Sequence, residues 1–133
     1  MVYSSILMKK YNKCGEKTKL LFDNLIEQSS KYCSSHSSVN MKEYHYRLQK
    51  EYPNAKGRKT QNFCVYTLTP FRNGVTIHLR TDGKSVSSKV LNLDVISECS
   101  YLTGKEWVKF GVKSEEDLDE TIKLIEKIYK SKE

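Results

Sequence analysis

Positive charge is concentrated in the central third of this chain, and the chemistry it offers is the binding of anions. The 133-residue chain has a formal net charge of +7. Between positions 50 and 90, eight lysine or arginine residues face only two acidic ones, which leaves a net +6 in that stretch. A localised basic surface attracts phosphate-bearing or acidic partners. The opposing interpretation is that a lysine-rich composition places lysine on any solvated face.

Aromatic residues are interleaved with these cations. An aromatic ring can stack on a nucleic-acid base while neighbouring lysine and arginine side chains neutralise phosphates. Phe63 and Trp107 fit an ordinary core equally well, whereas Phe71 stands beside Arg72 at a predicted turn, where an aromatic has little core to join. The residues predicted to bind a ligand are Lys50, Lys56, Arg58, Lys59, Phe71, Arg72, Arg80 and Lys84.

Catalytic motifs are not recognisable in the sequence. It contains no phosphate-binding loop of the Walker type, no Gly-x-Ser-x-Gly elbow and no His-Glu-x-x-His pair. A nuclease centre needs converging carboxylates and a lysine, but a turn and a strand separate Asp82 from Asp94. Cys64 and His78 could pair across a hairpin as nucleophile and base, although Cys64 is in phase with core positions. We predict no catalytic residues and a non-enzymatic protein.

The cysteine and histidine spacing predicts neither a metal site nor a cofactor. The four cysteines form no Cys-x-x-Cys pair, and the three histidines complete no zinc-binding pattern. The N-terminal residues lack the features of a signal peptide, and no apolar run approaches the roughly 20 residues that span a membrane. We therefore expect free thiols, a cytoplasmic location and no membrane partner.

The elements that must position these residues are clearest at the C-terminal end. Alternating apolar residues predict a strand over 107–112. Ser114 follows as a helix N-cap, and three acidic residues after it favour the positive end of the helix dipole. Apolar residues at helical spacing, from Leu118 to Tyr129, then predict a helix over 115–130.

In the centre, β-formers over 62–69 and 74–81 predict an antiparallel hairpin, which turns at Asn73-Gly74. A short strand is predicted over 44–49, and the segment 51–61 is predicted to be a basic loop because it contains Pro53 and Gly57. Residues 84–90 suggest one more strand. Residues 91–102 fit either irregular core packing or a short helix.

An amphipathic helix is predicted over 15–33, and residues 1–14 are predicted to be loosely ordered ahead of a single domain over 15–133. The order of helix, antiparallel strands and helix predicts an α+β fold: a two-layer sandwich with about 4–6 antiparallel strands and both helices on one sheet face. The other face would present Thr76, His78, Arg80 and Lys109.

The central hairpin and the C-terminal block resemble a small uncharacterised α+β domain family. Its members are fused to predicted transport proteins and to restriction-system nucleases, or stand alone. The resemblance covers roughly residues 16–130 and implies a compact fold in a cytosolic, often defence-linked setting, with no catalytic residues to transfer. The residues that carry it are Asn62, Phe63, Trp107, Phe110, Val112, Ser114, Glu116, Asp117, Leu118, Asp119, Leu124, Ile125 and Tyr129.

Two functions fit these observations. The first is a binding module for an anionic, phosphate-bearing ligand, in particular nucleic acid, using the basic segment and the hairpin tip. The second is a protein-interaction module that docks an acidic partner protein through the sheet face or the hairpin. The sequence does not specify the ligand or the oligomeric state.

Overall fold

The computed structural model describes residues 4–37, 45–54, 56–81, 86–96 and 107–131. Three α-helices lie in these ranges: α1 (Ser5–Asn12), α2 (Glu16–Ser29) and α3 (Glu115–Lys130). The strands are β1 (Ser35–Ser37), β2 (Tyr46–Asn54), β3 (Gly57–Thr67), β4 (Val75–Leu79), β5 (Asp94–Ile96) and β6 (Trp107–Val112). None of the described helices is both long and apolar enough to cross a membrane.

The described strands form one antiparallel sheet in the order β1-β2-β3-β4-β6-β5. Helices α2 and α3 contact each other and pack on one face of this sheet. This arrangement confirms the predicted α+β sandwich. The predicted central hairpin is β3 and β4, in which Tyr66 lies opposite Ile77.

The main core lies between the helices and the sheet. Tyr46 and Tyr66 stack with ring centroids 6.0 Å apart on neighbouring strands. Phe22 of α2 meets both rings edge-on, and the Tyr66 hydroxyl donates a 2.8 Å hydrogen bond to Ser29 Oγ. Burying these rings and satisfying the hydroxyl fix how α2 sits on the sheet.

The predicted strand, cap and helix at the C-terminal end are confirmed as β6 and α3. The backbone N–H of Asp117 donates to Ser114 Oγ over 3.2 Å, so Ser114 is the N-cap. The carboxylate of Asp117 accepts from the backbone N–H of Lys113 over 2.9 Å. These reciprocal bonds satisfy donors at the helix start and join β6 to α3.

The prediction of a loosely ordered start was wrong for Ser5–Asn12, which form α1. Ser4 caps this helix by accepting a 3.1 Å bond from the Leu7 backbone N–H, and Leu7 is fully buried. Burial of that leucine against the rest of the core stabilises a helix too short to form alone. Helix α2 starts near the predicted position but ends at Ser29, where serine hydroxyls bond to carbonyls of the last turn.

The predicted loop over 51–61 was also wrong, because the segment forms a long hairpin of β2 and β3. Asn54 lies opposite Gly57, and Pro53 lies opposite Arg58. Among the described residues, β1 pairs with β2 only from Arg47 to Gln49. At Pro53, therefore, β2 is paired with β3 alone. Such an edge position tolerates proline, which has no N–H to donate. Gly57 supplies the positive φ, 119°, that the turn requires.

The segment after β4 departs from both expectations for it. Residues 86–90 of the predicted strand over 84–90 are not in a strand, and residues 84 and 85 lie outside the described part of the chain. Within 91–102, Asp94–Ile96 form β5, which pairs with β6 at the edge of the sheet. Pairing with β6 and packing of Ile96 against Val65 and Trp107 stabilise this three-residue strand.

Candidate anion-binding cleft

The turn between β3 and β4, residues 68–74, projects an aromatic side chain into solvent. Phe71 is 85% exposed and has a φ of 65°, which is rare for a residue with a side chain. Its backbone N–H donates a 3.4 Å bond to the carbonyl of Lys13, in the turn between α1 and α2. This hydrogen bond anchors the backbone of Phe71, while the ring itself remains exposed to solvent.

Gly74 packs this turn against the end of β6. Its φ is 89°, and a Cβ at this position would lie 2.6 Å from the carbonyl oxygen of Val112. Its backbone N–H donates a 2.9 Å bond to Thr18 Oγ1 of α2. Because only glycine permits so close an approach, the turn is placed directly beside Lys113.

A shallow cleft of about 190 Å³ opens between this turn and β6. We call it the tip cleft. It contains the exposed cations Arg72 and Lys113, and none of its described lining residues is acidic. Gly111 forms part of its floor, and a Cβ there would meet no atom within 4 Å. The lining residues are Thr69, Arg72, Asn73, Gly74, Val75, Thr76, Gly111 and Lys113.

The donors of the tip cleft suit an oxyanion. The arginine presents a planar fork of N–H groups, the lysine adds a point charge, and Thr69, Thr76 and Asn73 bring hydroxyl and amide groups. The carboxylate of Asp117 lies close by, where it accepts from the backbone N–H of Lys113. It is thus committed to the start of α3 and does not line the cleft.

The second sheet face, opposite the helices, continues from the tip cleft along β4 and β6. Thr76 lies opposite Gly111, and His78 lies opposite Lys109. These are the predicted positions for Thr76, His78 and Lys109. Burial lowers the pKa of His78, and the charge of Lys109 lowers it further. The two pairs, Thr76 with Gly111 and His78 with Lys109, form what we call the β4–β6 strip.

A small hydrophobic cluster bounds the β4–β6 strip. Trp107 and Val65 belong to the second face by their register, and both are buried, with Ile96 packed against them. This cluster is separate from the main core. The exposed part of β6 on this face is therefore the stretch that contains Lys109 and Gly111.

Lys50, predicted to bind a ligand, is instead buried and holds two elements together. Its ammonium group donates 2.7 Å and 3.1 Å bonds to the carbonyl oxygens of Ile128 and Ser131, and it lies 3.2 Å from Ser131 Oγ. It follows Tyr46 and Leu48 in the alternation of β2, which places it on the helix side of the sheet. Its positive charge therefore lies at the C-terminal end of α3 and stabilises the carbonyl groups there.

Arg80 also differs from its prediction. It was predicted to share the second sheet face with His78, but its guanidinium carbon lies 3.9 Å from the ring centroid of Tyr52, a residue of the main core. Strand β4 ends at Leu79, so the alternation that predicted its side does not reach Arg80. One of its terminal nitrogens is buried without a hydrogen-bond partner among the described residues.

The structure separates the predicted residues of the basic segment from the hairpin tip. Lys56 is exposed between β2 and β3, while Arg58 and Lys59 are the second and third residues of β3. Phe71 and Arg72 follow the opposite end of that strand. Its 11 residues separate the two groups by roughly 33 Å. Lys84 lies outside the described residues.

Sequence reasoning missed Lys113, and the reason is topological. It directly follows Val112, whose partner in β4 is Val75, so it lies beside Gly74. A pairing between strands more than 30 residues apart in sequence has no local signal. The alternation of Lys109, Gly111 and Lys113 was the available signal, because it predicts that all three share one face.

The described residues bring no catalytic constellation together. Cys64 is fully buried opposite Leu79, whereas His78 belongs to the other face, so the expected core role of Cys64 is confirmed. Burial raises the pKa of its thiol well above the ordinary value. Cys14, Cys33 and Cys64 are free thiols. Within the described ranges, no three His, Cys, Asp or Glu side chains are grouped to hold a metal ion.

No protein-family model matches this chain, and comparisons with curated proteins and with solved structures find no similar protein.

Proposed function

We propose that this protein is a non-enzymatic binding module for a phosphate-bearing ligand, and that the ligand is nucleic acid. The observation that carries the proposal is the tip cleft, which Arg72 and Lys113 both line and which adjoins, in sequence, the exposed Phe71. Holding a non-glycine residue at positive φ has a cost, and such strained positions cluster at ligand sites.

Phosphate is the anion that this arrangement suits best. Arginine and lysine together supply directional and diffuse positive charge, and hydroxyl groups can donate to further phosphate oxygens. The net charge of +7 attracts any polyanion from a distance. An isolated phosphate would use the cleft alone, whereas a nucleotide also offers a base to the adjacent aromatic ring.

Nucleic-acid contacts at such a site are made mainly to the backbone. Phosphate contacts position a nucleic acid without reading its sequence, so the proposal includes weak sequence preference. The family resemblance adds a cytoplasmic, defence-linked setting to the proposal. Affinity should decrease with salt, with a slope of log affinity against log salt of about −0.7 to −0.9 for each phosphate neutralised.

The test is a salt-varied binding assay with a matched pair of substitutions in the cleft floor. Fluorescence anisotropy with mixed-sequence single-stranded and duplex DNA and RNA should show salt-sensitive binding by the wild-type protein. Gly111→Glu introduces a carboxylate where the structure has open space, and Gly111→Gln introduces a neutral side chain of the same size. We expect Gly111→Glu to weaken binding at least about tenfold more than Gly111→Gln, a difference of about 1.4 kcal/mol.

A protein-interaction module is the second candidate, and the exposure of Phe71 beside Arg72 favours it, since aromatic and arginine residues dominate protein hot spots. An acidic partner protein would then occupy the same turn. The anisotropy assay decides between the two: if no nucleic acid shows salt-sensitive binding at low ionic strength, the nucleic-acid proposal is wrong and the protein-interaction proposal replaces it.

A further inference from the structure

The tip cleft continues directly into the β4–β6 strip. Lys109 and Gly111 lie on the second sheet face of β6, and Lys113, which directly follows the strand, lines the tip cleft together with Gly111. Lys109 and Gly111 are exposed, and Thr76 and His78 of the neighbouring strand are half-buried beside them. The strip is therefore a shallow polar path that has Lys109 at one end and adjoins Lys113 of the tip cleft at the other.

The two cations are spaced to suit a short length of polymer. Lys109 and Lys113 are four residues apart on an extended chain, which places them roughly 13 Å apart. Gly111 lies between them and leaves room above the strand, because a Cβ there would meet nothing within 4 Å. Beyond Lys109 along β6, the strip ends at the buried Trp107, and the exposed Asp94 of β5 lies beside Lys109 across the strand pair.

From this arrangement we infer that the ligand is single-stranded nucleic acid lying along the β4–β6 strip. One phosphate occupies the tip cleft between Arg72 and Lys113, a base stacks on Phe71, and a later phosphate meets Lys109. The inference rests on the proposed function and specifies its ligand. The buried Trp107 limits the path at one end and Phe71 at the other, so the contact covers about 4 nucleotides, the small end of known single-strand sites.

A single strand suits this surface better than a duplex does. An aromatic ring stacks only on a base whose face is free, and a duplex covers those faces with neighbouring base pairs. Phe71 is 85% exposed, and its backbone N–H is hydrogen-bonded to Lys13. The ring is therefore accessible to an unpaired base. A duplex could still bind through its phosphates, but it would gain nothing from the ring.

The first experiment compares charge removal at two exposed lysines. Lys109→Gln removes a cation from the strip, whereas Lys123→Gln removes the same charge from the exposed side of α3, on the helix side of the sheet. With single-stranded oligonucleotides, we expect Lys109→Gln to weaken binding about fivefold and to flatten the salt slope by about 0.7. Lys123→Gln should stay within about twofold of wild type.

The second experiment tests stacking. Phe71→Ala should weaken single-stranded binding about tenfold, because it removes the ring on which a base stacks, and duplex binding about twofold or less. Phe71→Tyr keeps an aromatic face and should restore single-stranded binding, which a purely structural role for the turn would not predict. A length series from two to six nucleotides should reach its full affinity at about four.

The outcomes separate this inference from the proposed function. Salt-sensitive binding in which duplex equals single strand, or in which Phe71→Ala weakens both alike, overturns the single-strand inference and leaves the nucleic-acid proposal standing. Equal effects of Lys109→Gln and Lys123→Gln overturn the path along the strip in the same way. The absence of salt-sensitive binding to every nucleic acid overturns both.

Discussion

The ammonium group of Lys50 donates a 2.7 Å hydrogen bond to the backbone carbonyl oxygen of Ile128, 78 residues later in the chain. Lys50 is only 4% exposed; its ammonium group also donates to Ser131, which directly follows α3, and lies 5.0 Å from the ring centroid of Tyr52. A cation at this position meets the negative end of the helix dipole and adds a donor to a last-turn carbonyl that also accepts from the backbone N–H of Ser131. The residue thus ties the β2–β3 hairpin to the C-terminal helix.

Lys50→Met should therefore destabilise the fold while keeping most of the aliphatic bulk. We expect the free energy of unfolding to fall by about 2 kcal/mol, the usual range for a hydrogen bond from a charged group. Chemical denaturation with urea measures it, and Lys123→Met on the exposed side of α3 is the control, expected to change stability by about 0.5 kcal/mol or less. Equal stability of the Lys50 variant and wild type would contradict a structural role.

The N-cap of α3 gives a second prediction. Ser114→Ala removes the acceptor for the Asp117 backbone N–H, and we expect a loss of about 1 kcal/mol. Asp117→Ala removes the reciprocal bond to the backbone of Lys113. Since both bonds hold the same helix start, the double variant should lose less than the two single losses added together. Urea denaturation midpoints check this, and an unchanged midpoint for Ser114→Ala would show that the cap contributes nothing.

Gly74 and Gly111 should respond in opposite ways to alanine. Gly74→Ala places a methyl group 2.6 Å from the Val112 carbonyl oxygen at a φ of 89°, so we expect a loss of more than about 1 kcal/mol. Gly111 has open space for a Cβ and lies in a strand, where alanine removes unfolded-state entropy, so a gain of up to about 1 kcal/mol is expected. Thermal unfolding of both variants checks the pair. A tolerated Gly74→Ala would mean that the turn does not need its close approach to β6.

The parts of this fold that sequence predicted are those whose signals are local. The cap at Ser114, the acidic first turn and the apolar spacing of α3 all lie within one segment, and the structure has each of them. The turn at Gly74 was predictable for the same reason, because glycine after asparagine is itself the signal.

The parts that sequence could not predict depend on partners far along the chain. Pro53 and Gly57 suggested a loop, whereas pairing with β3 and burial of Tyr52 make the segment a hairpin. Lys50 looked like a surface cation because its partner is the end of a helix 78 residues away. Lys113 reached the candidate site only through the pairing of β4 with β6. The charge of a residue and the presence of proline or glycine nearby do not reveal which distant segment it will contact.

The two half-buried histidines predict a loss of stability in mild acid. Burial lowers the pKa of His45, and the charges of Lys10, His78 and Arg47 lower it further. Burial and Lys109 do the same for His78. An unfolded chain titrates these groups near 6.5, so below that pH it binds more protons than the folded protein. Their contribution is therefore complete above about pH 6.5 and is lost as the pH falls through the lower folded-state values.

We expect the free energy of unfolding to decrease between about pH 7 and about pH 5, and His78→Gln to remove part of that decrease. Urea denaturation of both proteins at a series of pH values measures the difference, which separates this histidine from the carboxylates that also titrate in acid. Identical pH profiles for His78→Gln and wild type would show that His78 is not linked to folding.

The last prediction uses the separation between Lys56 and Arg72 at opposite ends of β3. These ends are roughly 33 Å apart, so a ligand of about 4 nucleotides held in the tip cleft cannot reach Lys56. Arg72→Gln should therefore weaken binding of a tetranucleotide about fivefold, while Lys56→Gln leaves it within about twofold of wild type. A strand of about 16 nucleotides can reach both ends, and its salt slope should flatten with either substitution. Anisotropy with the two lengths makes the comparison, and a tetranucleotide that loses equal affinity in both variants would place the primary site away from the tip cleft.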